Sequence, residues 1–410
     1  MSKSSGFVTD GKGHNYLVPF ILITTLFFLW GFAHSFLDVL NKHFQNTLNA
    51  SKTESALVQF MVYGGYFLMA LPAGYIIRRA GYRAGVLTGL VLYAVGAFLF
   101  VPGGQMGSFA FYLVALFIIG CGLTCLETAA NPYATVLGDP SQAERRINVA
   151  QSLNGLGWII GPFVGGLFLF GDQSEAGYDL GFTTLPAITI PYAAIGLLVI
   201  LVAMVFAFVR LPQVDNSNAS TDQQAHTDLP LLQQPRFLFG LLALFLYVAA
   251  QTGINSFFIN YATEHSELSD TAATFVLSFG CMALFLIGRL GGSFVMARVR
   301  GERVLAICAV GAIVGCAVAM AVPNTIGMGA LLLVYLCESI MFPTIFALSI
   351  RGLGGRTEQA SSLLIMSIVG GAFAPLLMGF LADTFSTAVG FIVPLVCFVV
   401  IFAFGATYKR

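Results

Sequence analysis

Apolar runs of about 20 residues recur along the whole chain, separated by short polar turns. A run of that length is what an α-helix needs to cross the hydrocarbon core of a bilayer. Twelve spanning helices are predicted, at 17–40, 56–78, 84–102, 109–137, 145–170, 188–210, 237–262, 272–298, 303–322, 326–350, 358–381 and 389–408. They use nearly all of the 410 residues and leave almost no room for a soluble domain. The fold class that follows is an all-α polytopic membrane protein.

The longest polar stretch, LPQVDNSNASTDQQAHTDLPLLQQPR (211–236), divides the helices six and six. Its Asn, Ser, Asp and Gln content reads as a flexible linker. The organisation expected is a six-helix half at 1–210, a cytoplasmic linker at 211–236 and a second half at 237–410. Internal repetition supports it. Gly157, Pro162 and Gly166 of helix 5 return 213 positions later as Gly370, Pro375 and Gly379 of helix 11. Glu127 and Pro132 of helix 4 return 211 positions later as Glu338 and Pro343 of helix 10. The Gly-led, Arg-rich turns GYIIRRAGYR (74–83) and GSFVMARVRGER (292–303) follow helices 2 and 8. Parallel six-helix repeats with substrate bound near the midplane between them are the design of major facilitator transporters. Alternating access is the expectation that goes with it.

Charge changes the picture by setting orientation. With the N-terminus inside, cytoplasmic segments hold 16 of the 19 Lys and Arg residues, while the outer loops hold only Lys42 and Lys52, and Arg289 sits within helix 8. Positive residues favour the cytoplasmic side, so both termini are expected there. The first 15 residues lack the apolar core and cleavage site of a signal peptide. Only 9% of residues are charged against 57% hydrophobic, and net charge is zero; no basic stripe suggests nucleic acid. The seven cysteines, at 121, 125, 281, 308, 316, 337 and 397, are scattered through apolar segments, which argues against a disulfide framework or a metal site. No nucleophile constellation or cofactor motif appears, so the chain is not read as an enzyme. No cofactor is expected apart from a coupling ion, with the proton favoured and sodium possible. A monomer is expected, with the lipid bilayer as its surroundings.

Three acids stand where charge is costly. Asp38, Glu127 and Glu338 lie in or against apolar runs, and a charge at bilayer depth costs about 2.5–3.5 kcal/mol on insertion scales. Such residues persist where they face a cavity and bind or carry something. Glu127 precedes Pro132 by five residues; the proline removes an N–H and frees the Thr128 carbonyl, which suggests a wet, polar cavity. On helix 1, Trp30, His34, Asp38 and Asn41 fall within an arc of about 80°. Helix 5 carries Asn148, Gln151 and Asn154 on one side, and helix 7 carries Gln251 and Asn255 one turn apart. These amides can bond a substrate or another helix, at about 0.6 kcal/mol per interhelical bond. Trp30 can stack on the apolar face of a sugar or pack. Asp38, Glu127 and Glu338 are the candidate coupling acids. Trp30, His34, Asp38, Glu127, Asn148, Gln151, Asn154, Gln251 and Asn255 are the candidate substrate residues.

At CLETAANPYATVLG (125–138), followed by INVAQSLNGLG (147–157), the chain resembles the fucose permease branch of the major facilitator superfamily. FFLWG with Asp38 in helix 1, YVAAQT (247–252) and FPTIFALSIRGLG (342–354) extend the resemblance through nearly the whole chain. That branch contains proton-coupled fucose importers and carriers of glucose, galactose and N-acetylglucosamine, some sodium-linked. The resemblance implies a monosaccharide–proton symporter of the bacterial inner membrane. It makes Asp38 and Glu127 the proton-handling and sugar-proximal acids, and gives Asn148 to the sugar site. Two places depart from the fucose permease pattern: His34-Ser35-Phe36-Leu37 stands where that pattern is rich in asparagine, and Glu338 is an addition. A sodium-coupled glucose, galactose or amino-sugar symporter is the alternative. GWIIGPFVGG (157–166) also resembles the helix 5 motif of drug–proton antiporters, although glycines there permit close helix approach in any transporter.

Overall fold

The computed structural model describes residues 7–9, 14–139, 143–171, 178–179, 184–209, 230–296, 298–351, 353 and 357–408. Most of the expected linker, at 211–229, lies outside them, as do Lys3, Lys12, Arg210, Arg356, Lys409 and Arg410 among the cations used for orientation. The described chain is helical from α1 (Leu17–Leu48) to the short α15 (Thr387–Gly390) and α16 (Ile392–Thr407), apart from turns and a two-residue antiparallel pair, β1 (Tyr178–Asp179) and β2 (Thr184–Leu185).

The predicted spans reappear with four informative differences. Helices 2 and 3 are continuous in α3 (Leu57–Met106), which follows the short α2 (Lys52–Ser55). Fifty residues at about 1.5 Å each are far longer than a bilayer core is thick, so α3 holds two spans. Gly81 separates them with φ +82°, a left-handed turn that glycine adopts without steric cost. Eleven described helices are long and apolar enough to span, and α3 supplies the twelfth crossing.

The other three differences lie in the second half. Predicted helix 8 is α8 (Asp270–Phe275), a π-helical stretch Val276–Met282, and α9 (Ala283–Met296). Predicted helix 10 breaks into α11 (Thr325–Glu338) and α12 (Met341–Ile350). Pro343 has no N–H for the Ser339 carbonyl, and Arg289 Nε donates to that oxygen at 3.3 Å instead. The Tyr247 hydroxyl donates to the Glu338 carbonyl at 3.1 Å. The break is therefore satisfied by side chains, as backbone at membrane depth requires. Predicted helix 11 passes from α13 (Thr357–Met366) through a 3₁₀ turn, Ser367–Val369, into α14 (Gly370–Thr384).

The chain forms two compact units, residues 1–37 with 64–215 and residues 38–63 with 216–410. In the first, α4 (Phe109–Val136), α5 (Ala143–Leu169) and α6 (Thr189–Phe208) pack with the starts of α1 and the later part of α3. Glycines set the closest approach. A Cβ at Gly157 of α5 would lie 2.5 Å from the Phe28 carbonyl oxygen of α1 and 2.6 Å from the Phe32 nitrogen. Gly161 likewise meets Ser35. In the second unit, Gly370 of α14 stands directly against the Phe245 carbonyl of α7 (Pro235–His265). The repeat seen in sequence is thus a repeated contact: helix 5 on helix 1, helix 11 on helix 7. It accounts for the Gly-x3-Gly-Pro spacing as packing.

Within the second unit, a polar clasp joins the turn after α1 to the later helices. Asp383 caps α2, accepting from Lys52 N at 3.0 Å, Thr53 N at 2.9 Å and Thr53 Oγ1 at 2.6 Å. Lys52 Nζ reaches Glu264 at 2.7 Å and Lys42 lies 3.9 Å from Asp270. The two positive residues assigned to the outer loops both meet acids.

Candidate functional site

In the first unit, α1, α3, α4 and α5 bring polar groups to one place. His34 Nε2 and the Tyr66 hydroxyl lie 2.9 Å apart, and Tyr66 also hydrogen-bonds the Glu127 carboxyl. A phenol has one proton; given to Glu127, it leaves the oxygen to accept from an Nε2–H of His34. Trp158 lies parallel to the His34 ring, at 6.0 Å and 9°. The result is a chain, His34–Tyr66–Glu127, with an indole face alongside. Glu127 is half-buried, while His34 is buried.

The amides predicted on helix 5 divide. Asn154 is buried and its Nδ2 donates to the Phe27 carbonyl at 3.0 Å, while Gly31 packs directly against its backbone. The interhelical alternative therefore describes the donor side of Asn154. Ser35 Oγ adds a second bond between these helices, to the Gly157 carbonyl at 3.2 Å. Gln151 is half-buried on the same helix. Asn148 lies in α5, but its side chain is outside the described residues. Trp30 is buried and packs on Phe27 at 4.3 Å.

A second polar group gathers within the other unit. Asp38 is 2% exposed; Gln59 Nε2 donates to its Oδ1 at 3.0 Å, and Oδ2 has no hydrogen-bond partner. Glu338 is fully buried at the end of α11, and Asp38 acts on it electrostatically. Asn41 and Asn255 are buried, each with an unbonded amide oxygen. Gln251, a turn before Asn255, is half-buried. The sequence mirror of Glu127 thus has different company: Glu127 bonds a tyrosine that also meets a histidine, whereas Glu338 is acted on electrostatically by a second acid.

Three contributors escape periodicity arguments. Tyr66 and Gln59 lie in an apolar run that reads as a plain span, and Trp158 lies in a glycine-rich one. Their one sequence signal is a hydroxyl, amide or indole N–H that must find a partner when buried.

Residues 21–367 match the family described as the Major Facilitator Superfamily. The L-fucose-proton symporter of Escherichia coli (strain K12) is 35% identical over 413 residues, covering 96% of this chain and 94% of that protein. This chain belongs to the Major Facilitator Superfamily. A second relative in the superfamily, a glucose/galactose transporter of Brucella abortus biovar 1 (strain 9-941), is 34% identical over 394 residues, 95% of this chain and 94% of that one. A crystal structure of the E. coli fucose:proton symporter matches with a TM-score of 0.69 at 34% identity, covering 96% of this chain and 99% of that one. The all-α superfamily fold expected from the twelve apolar runs is the fold found.

Proposed function

We propose that this superfamily member imports a monosaccharide together with a proton by alternating access. The observation that carries the reading is the His34–Tyr66–Glu127 chain beside Trp158. A sugar presents hydroxyls and an apolar ring face; a carboxyl, a phenol and an imidazole supply both donors and acceptors, and an indole supplies a stacking surface. Two relatives, a fucose-proton symporter and a glucose/galactose transporter, support the same substrate class.

In this reading Glu127 and His34 hold sugar hydroxyls, Trp30 and Asn154 brace the helix that carries them, and Asn148, Gln151, Gln251 and Asn255 are further polar contacts. Asp38, Glu127 and Glu338 are the acids available to the coupling ion. Protonation neutralises an acid and lowers the cost of moving it between environments. One charge crossing ~180 mV gains about 4 kcal/mol, which at about 1.4 kcal/mol per decade supports accumulation on the order of 10³. The six-helix halves at 1–210 and 237–410, the cytoplasmic termini and the bacterial inner membrane belong to the same proposal. Drug export loses its support, because Gly157 and Gly161 have a packing reason.

The test is uptake of labelled monosaccharides into right-side-out vesicles under separately imposed proton and sodium gradients. Proton-driven uptake of one sugar, lost in Glu127→Gln and Asp38→Asn, is expected. Sodium-driven uptake would replace the proton by sodium, and no uptake of any sugar under either gradient overturns the reading.

A further inference from the structure

Glu338 sits on the last turn of α11, fully buried, with neither carboxyl oxygen hydrogen-bonded among the described residues. A buried polar atom without a partner costs about 1–3 kcal/mol, and here the unpartnered atoms cluster. Asp38 acts on Glu338 electrostatically, and its own Oδ2 is unbonded. Tyr335, one turn before Glu338, is buried with an unbonded hydroxyl and is acted on by both carboxyls. Asn41, one turn after Asp38, has neither amide atom bonded.

Asn255 joins them from α7. Tyr247 of that helix bonds the Glu338 carbonyl, and Phe258 meets the Tyr335 ring edge-on at 5.9 Å. At 100° per residue, Tyr247, Asn255 and Phe258 lie within an arc of about 80°, so Asn255 is on the face of α7 that meets α11. Its Oδ1 is unbonded and the residue is 2% exposed. Two carboxyls, a phenol and two amide oxygens are hard oxygen donors of the kind that hold a proton or an alkali cation.

We propose that Asp38 and Glu338 form one cation site, holding a single proton or sodium ion between two carboxyls, with Tyr335, Asn41 and Asn255 as neutral donors. The proposal rests on the symport reading and divides its labour: Glu127, already bonded to Tyr66, serves the sugar, and the Asp38–Glu338 pair serves the ion. The physical reason is that two buried carboxylates that act on one another do not both stay charged without a cation. Gln59, donating to one oxygen of Asp38, leaves the other for the ion.

The other ionisable groups around the pair are Tyr247 of α7, Cys281 of the π-helical stretch, Cys316 of α10 (Gly301–Ala321), and Tyr335 and Cys337 of α11. Arg289 of α9 contacts the adjacent Ser339 carbonyl. In water phenols and thiols titrate above about pH 8, guanidinium stays charged and imidazole titrates at about 6.5. His34 and His43 share α1 with Asp38, so only a pH dependence lost in the Asp38 and Glu338 variants is assigned to the pair.

Thermal unfolding of the purified full chain in detergent, without sugar, tests this. It is measured from pH 5 to pH 8 in sodium chloride and in choline chloride. If the pair binds the ion, the apparent Tm of the wild type depends on pH or on sodium. Glu338→Gln and Asp38→Asn should each cut that dependence by at least half, and the double variant should cut it no further. Glu338→Asp, which keeps a carboxyl, should retain it and covers the case in which Glu338→Gln fails to fold. A response to sodium at fixed pH, absent in Glu338→Gln, assigns the ion as sodium; a pH response alone assigns the proton. Wild-type dependence in both single variants overturns the proposal. Because no sugar is present, failure of sugar uptake would remove the symport reading while leaving the ion site standing.

Discussion

Gly157→Ala isolates what holds α5 to α1. The added Cβ would lie 2.5 Å from the Phe28 oxygen and 2.6 Å from the Phe32 nitrogen. Both are backbone atoms of a helix and cannot swing aside, so the helices must part by about 0.9 Å to reach an ordinary contact. That separation forfeits a quarter to a half of the local van der Waals attraction, and overpacking of this kind costs about 1–3 kcal/mol. It also stretches Ser35 Oγ to Gly157 O, now 3.2 Å, and Asn154 Nδ2 to Phe27 O, now 3.0 Å. Each interhelical bond in a membrane contributes about 0.6 kcal/mol. Alanine recovers up to about 1 kcal/mol over glycine through helix propensity. The net is a loss of about 1–3 kcal/mol, which for a unit of this size lowers Tm by several degrees. Gly64→Ala is the control, because a Cβ there meets nothing within 4 Å; it should be neutral or raise Tm. The assay is thermal unfolding of detergent-purified protein followed by size exclusion. A Gly157→Ala protein as stable as Gly64→Ala would refute the close-approach argument.

Three further outcomes follow from named contacts. Tyr66→Phe removes the hydroxyl between His34 and Glu127; at about 1–3 kcal/mol for buried groups left unbonded, sugar affinity should fall by about 5- to 150-fold, read by counterflow. Asp383→Ala strips three bonds from the start of α2 and should cost about 0.5–2 kcal/mol, whereas Lys52→Met removes a part-exposed pair with Glu264 worth about 0.2–1 kcal/mol; the Tm losses should rank in that order. Arg146 is fully buried and donates to the carbonyls of Phe7, Ala134 and Asp139. Arg146→Lys should fail to restore the stability lost in Arg146→Met, because an ammonium cannot reproduce the planar fork, and yield of monodisperse protein would show it.

The spanning helices were legible because their signal is local. Length and apolarity need no partner, and Gly81 and Pro343 mark irregularities within a few residues, whereas α4 runs unbroken through Pro132. Asp38, Glu127 and Glu338 were legible as special for the same reason, since a charge inside an apolar run is visible without a fold. Partnership was not. Nothing near Asn154 in sequence says that its amide nitrogen goes to Phe27, 127 positions away, or that Tyr66 stands between His34 and Glu127. The internal repeat read Glu338 as the counterpart of Glu127, and in the fold it lies instead within electrostatic reach of Asp38.

The chain by itself determined its membrane class, its crossings, its six-plus-six repeat and the short set of acids and amides worth attention. Each of these depends on the energy of moving single side chains and turns from water to lipid, which is additive along the sequence. Tertiary structure alone decided which of those groups come together: Glu127 with Tyr66, and Tyr66 with His34; Asp38 with Gln59, within electrostatic reach of Glu338. Such pairings depend on how closely glycine-faced helices approach and where broken helices turn their carbonyls, and that is settled by packing between segments far apart in the chain.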